Sequence, residues 1–316
     1  MKTYLGLDFG GTKLLIGEVD QNGNILRERR YETGCRTEHQ AMEVLVKSVW
    51  DYAETVGFAG EPAGAGVGIV GTVDYRKGKW ITMHPQAMVP PIPITEILEE
   101  IIHIPVWADN DVKSAVTAEM VFGNGKNFDN FTYLNVGTGL AAGFVVDGRI
   151  LRGKNNNSGE IGHTVVDMTN QDPCMCGRTG CIENIVSGYG FTRQVTNYGL
   201  KELIPQKGDM TDVSLLFKKA AAGEKIPEKI LDYAAENLAC LIMNLVKTMD
   251  PEAFILGGGC VQDGSLLKRI EKKLVPTIMD SVTGGILLST LDPTHTGLLG
   301  AAALPLAALR EQEAKS

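Results

Sequence analysis

Twice in this chain a short apolar strand runs into a glycine–threonine turn and comes straight back as a second strand. Thr3 to Phe9 leads through Gly10-Gly11-Thr12-Lys13 into Leu14 to Val19. Phe131 to Val136 leads through Gly137-Thr138-Gly139 into Ala141 to Val146. Glycines at a bend let backbone N–H groups converge on an anion without side-chain obstruction. Thr12 and Thr138 add hydroxyl donors, Lys13 a positive charge, and Asp8 stands where it could hold a magnesium ion beside phosphates. Either turn alone reads as an ordinary hairpin. Two of them, opening two halves of one chain, form a weak internal duplication that suits a nucleotide gripped between duplicated domains. The first of them is not a G-x4-G-K-[ST] loop, and neither is the later run Gly257-Gly258-Gly259.

The 316 residues suffice for two domains and a large core. Asp20-Gln21-Asn22-Gly23 turns the second strand into a third, Ile25 to Tyr31. Ala41 to Val56 has helical periodicity, Gly64 to Val70 reads as a buried strand, and 83–93 holds four prolines and reads as irregular. A helix is expected near Thr95 to Ile102, then the strand Val106-Trp107-Ala108, then a helix from Asp109-Asn110-Asp111 to about Phe122. Gly123-Asn124-Gly125-Lys126-Asn127 reads as a break between domains. Ile230 to Met249 is a long helix, Pro251 to Leu256 a buried strand, and Gly297 to about Glu313 a largely buried final helix.

The net charge of −8 argues against a nucleic-acid surface, which needs clustered Lys and Arg. No stretch approaches the eighteen apolar residues of a membrane span, and the first residues lack the apolar region of a signal peptide. Cys35, Cys240 and Cys260 are scattered singly and read as reduced thiols, so the cytoplasm is the expected compartment.

Asp111 is the candidate general base, because α/β folds collect their ligands at strand ends. Asp109, Asn110 and Asp111 all also suit a helix N-terminus, so one is expected to cap and another to work. Gly257-Gly258-Gly259 follows a buried strand and leaves room for a flat ring or ribose, with a tight strand-to-helix turn as the alternative. His163 with Cys174-x-Cys176-x4-Cys181 supplies three thiolates and one imidazole, a full tetrahedral zinc set of the closed structural kind. Buried thiols, a redox pair or a disulfide are the competing readings. Structural zinc would leave Glu160 and Glu183 free, and His163 could donate from its second ring nitrogen to a substrate hydroxyl.

In order along the chain, Asp8-Phe9-Gly10-Gly11-Thr12-Lys13, Asn110-Asp111, Gly137-Thr138-Gly139, Gly159-Glu160-Ile161-Gly162-His163, Cys174-x-Cys176-Gly177-x-x-Gly180-Cys181-x-Glu183 and Leu256-Gly257-Gly258-Gly259 closely resemble the ROK family of bacterial sugar kinases and sugar-responsive repressors. The resemblance implies the actin-like, ribonuclease-H-like ATPase fold, with two α/β domains flanking a cleft. It implies a smaller N-terminal domain over 1–122 joined by the C-terminal helix 297–316, and a larger domain over 123–296. It implies ATP and magnesium, and phosphorylation of a hexose, usually at the 6-hydroxyl, with Asp111 as base. Asn110, Glu160, His163 and Glu183 would surround the sugar, and His163 with the three cysteines would hold structural zinc. Family members are commonly homodimers. Two stretches depart: Val70-Gly71 stands where a Pro-Gly pair is common, and Gln86 in the His84–Pro93 loop where asparagine is, which bears on the choice of sugar. Asn156 stands where glycine is frequent, and asparagine tolerates left-handed geometry. The repressor relatives carry a helix-turn-helix ahead of the sugar region; with the first turn at residue 8, a kinase is the expectation and a sugar-sensing regulator the alternative.

Overall fold

The computed structural model describes residues 1–35, 37–83, 89–205 and 210–313, with the backbone alone for 311–313. The chain divides into two compact units. One takes Met1–Asn127, Arg152–Asn157 and Thr290–Ser316, and the other Phe128–Leu151 and Ser158–Ser289.

In the first unit β1 (Lys2–Phe9), β2 (Lys13–Asp20) and β3 (Ile25–Glu32) form an antiparallel meander. β4 (Glu61–Ile69) and β7 (Val106–Asn110) extend it in parallel on the other side of β1, giving the order β3-β2-β1-β4-β7. The outer strand β3 exposes Arg27, Glu28, Arg29 and Arg30, charges that discourage further strand pairing at that edge. β5 (Thr72–Asp74) and β6 (Lys79–Thr82) make a separate hairpin. α1 (Glu38–Asp51), α2 (Ile94–Ile102) and α3 (Asp111–Val121) belong here too. α1 starts earlier than the apolar periodicity because Thr37 caps it, its hydroxyl accepting from the Gln40 N–H at 3.3 Å. It closes through a π-turn over Tyr52–Val56 that ends at Gly57, whose φ of 65° is left-handed. Val89–Pro93 is irregular apart from the bridge between Ile92 and Trp80, while His84–Met88, and with them Gln86, lie outside the described residues.

The second unit repeats the plan. β8 (Phe131–Val136), β9 (Leu140–Val146) and β10 (Arg149–Ile150) are antiparallel, and β11 (Ala253–Gly257) and β12 (Gly285–Leu288) add in parallel beside β8. The order β10-β9-β8-β11-β12 matches that of the first sheet. α4 (Gly188–Asn197), α5 (Val213–Ala221), α6 (Lys225–Met249), α7 (Ser265–Glu271) and the short α8 (Pro276–Met279) complete the unit. α6 begins more than a turn before the expected Ile230. Pro227 falls in its first turn, where a missing N–H costs no helical bond. Leu134, Ile182, Phe191, Leu238 and Phe254 are among the residues of its core.

The last helix, α9 (Thr296–Glu313), belongs to the first unit and lies across β1 and β4. The approach is close because those strands present glycine. A Cβ on Gly66 would overlap the Ala301 carbonyl oxygen, and one on Gly6 would collide with that of Leu298. Among the described residues no helix is long and apolar enough to cross a membrane.

Candidate functional site

In the first unit the turn after β1 is closed by the Gly10 N–H donating to the Lys13 carbonyl at 2.9 Å, and by the Thr33 N–H donating to the Thr12 carbonyl at 3.2 Å. Gly11 and Thr12 are exposed, and a Cβ on Gly11 would meet nothing within 4 Å, so the outer side of the turn is open to a ligand. Asp8 sits behind it at the strand end. The start of α9 presses on its carboxylate: a Cβ on Gly297 would lie within 2.5 Å of both oxygens. Burial pushes the Asp8 carboxyl above the usual carboxylate range, and the Lys13 ammonium pulls the other way. A carboxylate whose charge is disfavoured by burial is suited to a cation, which would restore the preference for the ionised form.

At the end of β7 the choice among three helix-starting residues resolves. Asn110 is the cap: its Oδ1 accepts from the N–H groups of Val112 and Lys113 at 3.0 and 3.3 Å. Its Nδ2 donates to the Gly71 carbonyl at 3.0 Å and to Asp111 Oδ1 at 2.8 Å. Asp111 is the first residue of α3 and partly exposed, and its Oδ1 also accepts the Val112 N–H at 3.0 Å. The carboxylate is thereby aimed by its neighbour while keeping solvent access. Gly71 is obligatory here, with φ 96° and the Thr82 carbonyl where a Cβ would go. Asp109 is buried and bonded elsewhere in the unit.

In the second unit the turn Gly137-Thr138-Gly139 is closed by the Gly137 N–H donating to the Gly139 carbonyl at 3.0 Å. The start of α4 braces it, with Gly188 and Tyr189 N–H groups donating to the Gly137 and Thr138 carbonyls at 2.8 and 3.1 Å. The run Gly257-Gly258-Gly259 is brought against this turn. A Cβ on Gly258, at φ 94°, would collide with the Val136 carbonyl, and the Cys260 N–H donates to that same oxygen at 3.0 Å. Gly259 has open space around its Cα.

Glu183 joins the turn to the cysteine loop. It lies in a single 3-10 turn, Ile182–Asn184, and its Oε2 accepts the Leu140 N–H at 3.0 Å. That oxygen would be 2.6 Å from a Cβ on Gly139 and 3.1 Å from one on Gly162, so both glycines make room for it. Glu160 immediately precedes the 3-10 turn Ile161–His163 and is exposed, and His163 ends that turn half-buried. Glu160, His163 and Glu183 thus belong to two short turns packed on one another.

His163, Cys174, Cys176 and Cys181 converge, their ligand atoms all within 4.8 Å of one another. His163 Nδ1 is 3.3 Å from Cys174 Sγ, and the sulfurs of Cys176 and Cys181 are 3.6 Å apart. Around one tetrahedral zinc at about 2.3 Å from sulfur and 2.0 Å from nitrogen, neighbouring ligand atoms lie roughly 3.5–3.8 Å from each other. The donor set therefore fits the ion. Because Nδ1 faces the sulfurs, Nε2 is the second nitrogen. The Arg178 backbone N–H and guanidinium hold Cys176 down to about 6, the thiolate a metal needs, while burial lifts Cys181 to about 12. Arg178 also donates to the His163 carbonyl. The loop is tied to α6 through Tyr233, whose hydroxyl donates to Asp167 at 2.5 Å.

Comparison with known proteins places these parts in context. The model of the ROK family matches residues 4–308. A glucokinase of Halalkalibacterium halodurans is 29% identical over 295 residues, covering 89% of this chain and 88% of its own. An N-acetyl-D-glucosamine kinase of Yersinia pseudotuberculosis is 29% identical over 281 residues, covering 86% and 88%. The crystal structure of a ROK family glucokinase from Streptomyces griseus in complex with glucose and AMPPNP superposes with a TM-score of 0.76 at 26% identity, covering 96% of this chain and 98% of that one. The fold is the actin-like ATPase fold.

Proposed function

This chain belongs to the ROK family and is an ATP-dependent sugar kinase, and on that premise we propose that it transfers the γ-phosphoryl group of ATP to a hexose 6-hydroxyl with Asp111 as general base. The observation that carries the mechanism is Asp111 at the head of α3, aimed by the Asn110 amide 2.8 Å away yet open to solvent. A carboxylate so placed accepts the hydroxyl proton as the oxygen attacks phosphorus.

The two compact units act as the two domains, with α9 and the 152–157 segment counted in the first. The turns Gly10-Gly11-Thr12-Lys13 and Gly137-Thr138-Gly139 each have backbone and side-chain donors suited to phosphate oxygens. Gly257, Gly258 and Gly259 leave room for the nucleoside. Asp8 would hold the magnesium ion, which supplies neutralisation of the charge spread over the transferring phosphoryl group. Glu160, Glu183 and His163 Nε2 bind sugar hydroxyls, and leaving such groups unpaired rejects analogues that lack one. Asn110, whose amide protons go to Gly71 and Asp111 and whose oxygen takes the Val112 and Lys113 N–H groups, serves the sugar through Asp111. His163, Cys174, Cys176 and Cys181 would hold zinc, which would stiffen the loop that carries Glu160, His163 and Glu183.

Asp111→Asn should abolish ATP consumption while sugar binding stays measurable by calorimetry; undiminished turnover would sink the base assignment. A coupled assay over glucose, fructose, mannose, allose and N-acetylated amino sugars identifies the substrate. Failure of every sugar in the panel overturns the hexose reading.

A further inference from the structure

The residue before Asn110 takes no part in capping and none in the proposed chemistry, yet its carboxylate is buried and held by three partners. Asp109 is 1% exposed, and a buried carboxylate persists only where partners replace its water. Three do so. Arg152 Nη1 lies 2.5 Å from Oδ2, and the Asn156 amide and the Asn110 N–H donate to Oδ1 at 3.1 and 2.9 Å.

The partners are themselves fixed. The Arg152 guanidinium lies over the Tyr75 ring, 3.8 Å from its centroid, and donates to Asn156 Oδ1 at 3.2 Å. Asn156 Nδ2 also donates to the Val73 carbonyl at 3.1 Å, from a backbone φ of 59°. The segment 152–157 therefore works as a strap. It is distant in sequence from all it touches, and it links the end of β7 to the hairpin strand β5 and the turn that follows. Its effect converges on one peptide. Asp109 Oδ1 fixes the N–H of Asn110, whose side chain caps α3 and donates to Asp111 Oδ1.

We propose that Asp109, Arg152 and Asn156 are positioning residues for phosphoryl transfer, setting the orientation of the Asp111 carboxylate through Asn110. The inference rests on Asp111 being the base. A misplacement of about 1 Å at a reacting group can cost on the order of 100-fold in rate, so a device that fixes this peptide acts on turnover more than on sugar affinity. The strap also borders a cavity of about 680 Å³, lined by Val73, Tyr75, Lys77, Lys154 and Asn156 among others, and the Arg152 side chain itself is 19% exposed, which gives a small cation access to its place.

The test compares Arg152→Met, Arg152→Ala, Asn156→Gly and Asp111→Asn in steady-state assays well below the melting temperature. Arg152→Met should lower kcat by about 30-fold, within the range that misplacement allows, with the sugar KM little changed. In Arg152→Ala, which leaves the place of the guanidinium empty, millimolar guanidinium chloride should restore much of the same loss while leaving the wild type unaffected. Asn156→Gly keeps the left-handed backbone without strain and should lower kcat in the same direction by a smaller factor; it decides the matter if Arg152→Met does not fold. Wild-type kcat in the variants with a lowered melting temperature, or a loss that guanidinium leaves untouched, would overturn the proposal and leave a structural ion pair. Full turnover in Asp111→Asn would instead remove the base reading beneath it, an outcome distinct from an inactive Asp111→Asn beside an unaffected Arg152→Met.

Discussion

The two units lay five strands in the same order and directions, yet they differ at the matching end of the first strand. By register Asp8 pairs with Leu15 and Gly68, while Asn135 pairs with Ala141 and Gly257. The first unit thus carries a charge-bearing acid where the second carries a neutral amide. Their covers differ as well. In the first, α9 presses its backbone on glycines of β1 and β4. In the second, Tyr133 occupies the space above Gly257. A duplicated frame fixes where ligands can be met, and the side chains at strand ends decide what each half does there.

Substitution at the glycines should break the likeness most sharply. Gly66→Ala drives a Cβ into the Ala301 backbone, which a helix holds in place, whereas Gly257→Ala meets only the outer end of the Tyr133 side chain. Overpacking costs about 1–3 kcal/mol and sometimes more, so Gly66→Ala should fall at or beyond the top of that range and Gly257→Ala near the bottom. Equal losses in thermal melts would show that the two covers are equally rigid.

Removal of zinc should act on the second unit alone. With a chelator, backbone hydrogen exchange should rise across 159–184 and stay unchanged in β1, β4 and β7, with a lower overall melting temperature. Folded protein that contains no zinc by metal analysis would refute the assignment.

The two threonines should prove alike. Thr12→Ala and Thr138→Ala are each expected to raise the KM for ATP about tenfold, the worth of one hydrogen bond to a charged group. A large effect from one and none from the other would show that a single turn holds the phosphates.

The smallest effect is a pH-dependent one. Burial raises the Asp8 pKa in the folded state, so folded protein binds that proton more tightly than unfolded protein does. Its contribution to stability therefore falls as pH rises from the usual carboxylate value through the raised one. Asp8→Asn should melt higher than the wild type at neutral pH, with the gain closing in acid, while losing activity. The reciprocal Asn135→Asp should melt lower. An Asp8→Asn protein less stable at neutral pH would mean that the carboxylate is held by more than it loses to burial.

Much of this was legible in the residues themselves. Apolar runs cut by glycine mark strand ends well, so β1 ends at Phe9 and β8 at Val136 as their sequences imply. The metal set was legible because spacing and ligand type constrain each other, and its four atoms do converge. The Asp109–Arg152 pair was not, since partners 43 residues apart leave no periodic trace. Asp109, Asn110 and Asp111 have similar capping preferences, and only the backbone path shows that Asn110 caps while Asp109 turns inward. β12 escaped because four half-buried residues give no pattern to read, and its pairing with β11 is what makes it a strand. Asn156 adopts the left-handed conformation its residue type permits, but nothing in its neighbours announced the hydrogen bonds it makes there.

Because α9 covers β1 and β4, the first sheet to leave the ribosome is the last to be roofed. Its glycine-lined surface stays wet, or in the keeping of a chaperone, until the whole second unit has been translated. That second unit needs nothing beyond Ser289 and can close while the first still waits. A chain truncated after Ser289 and released should resist protease in its later half and yield in its earlier one.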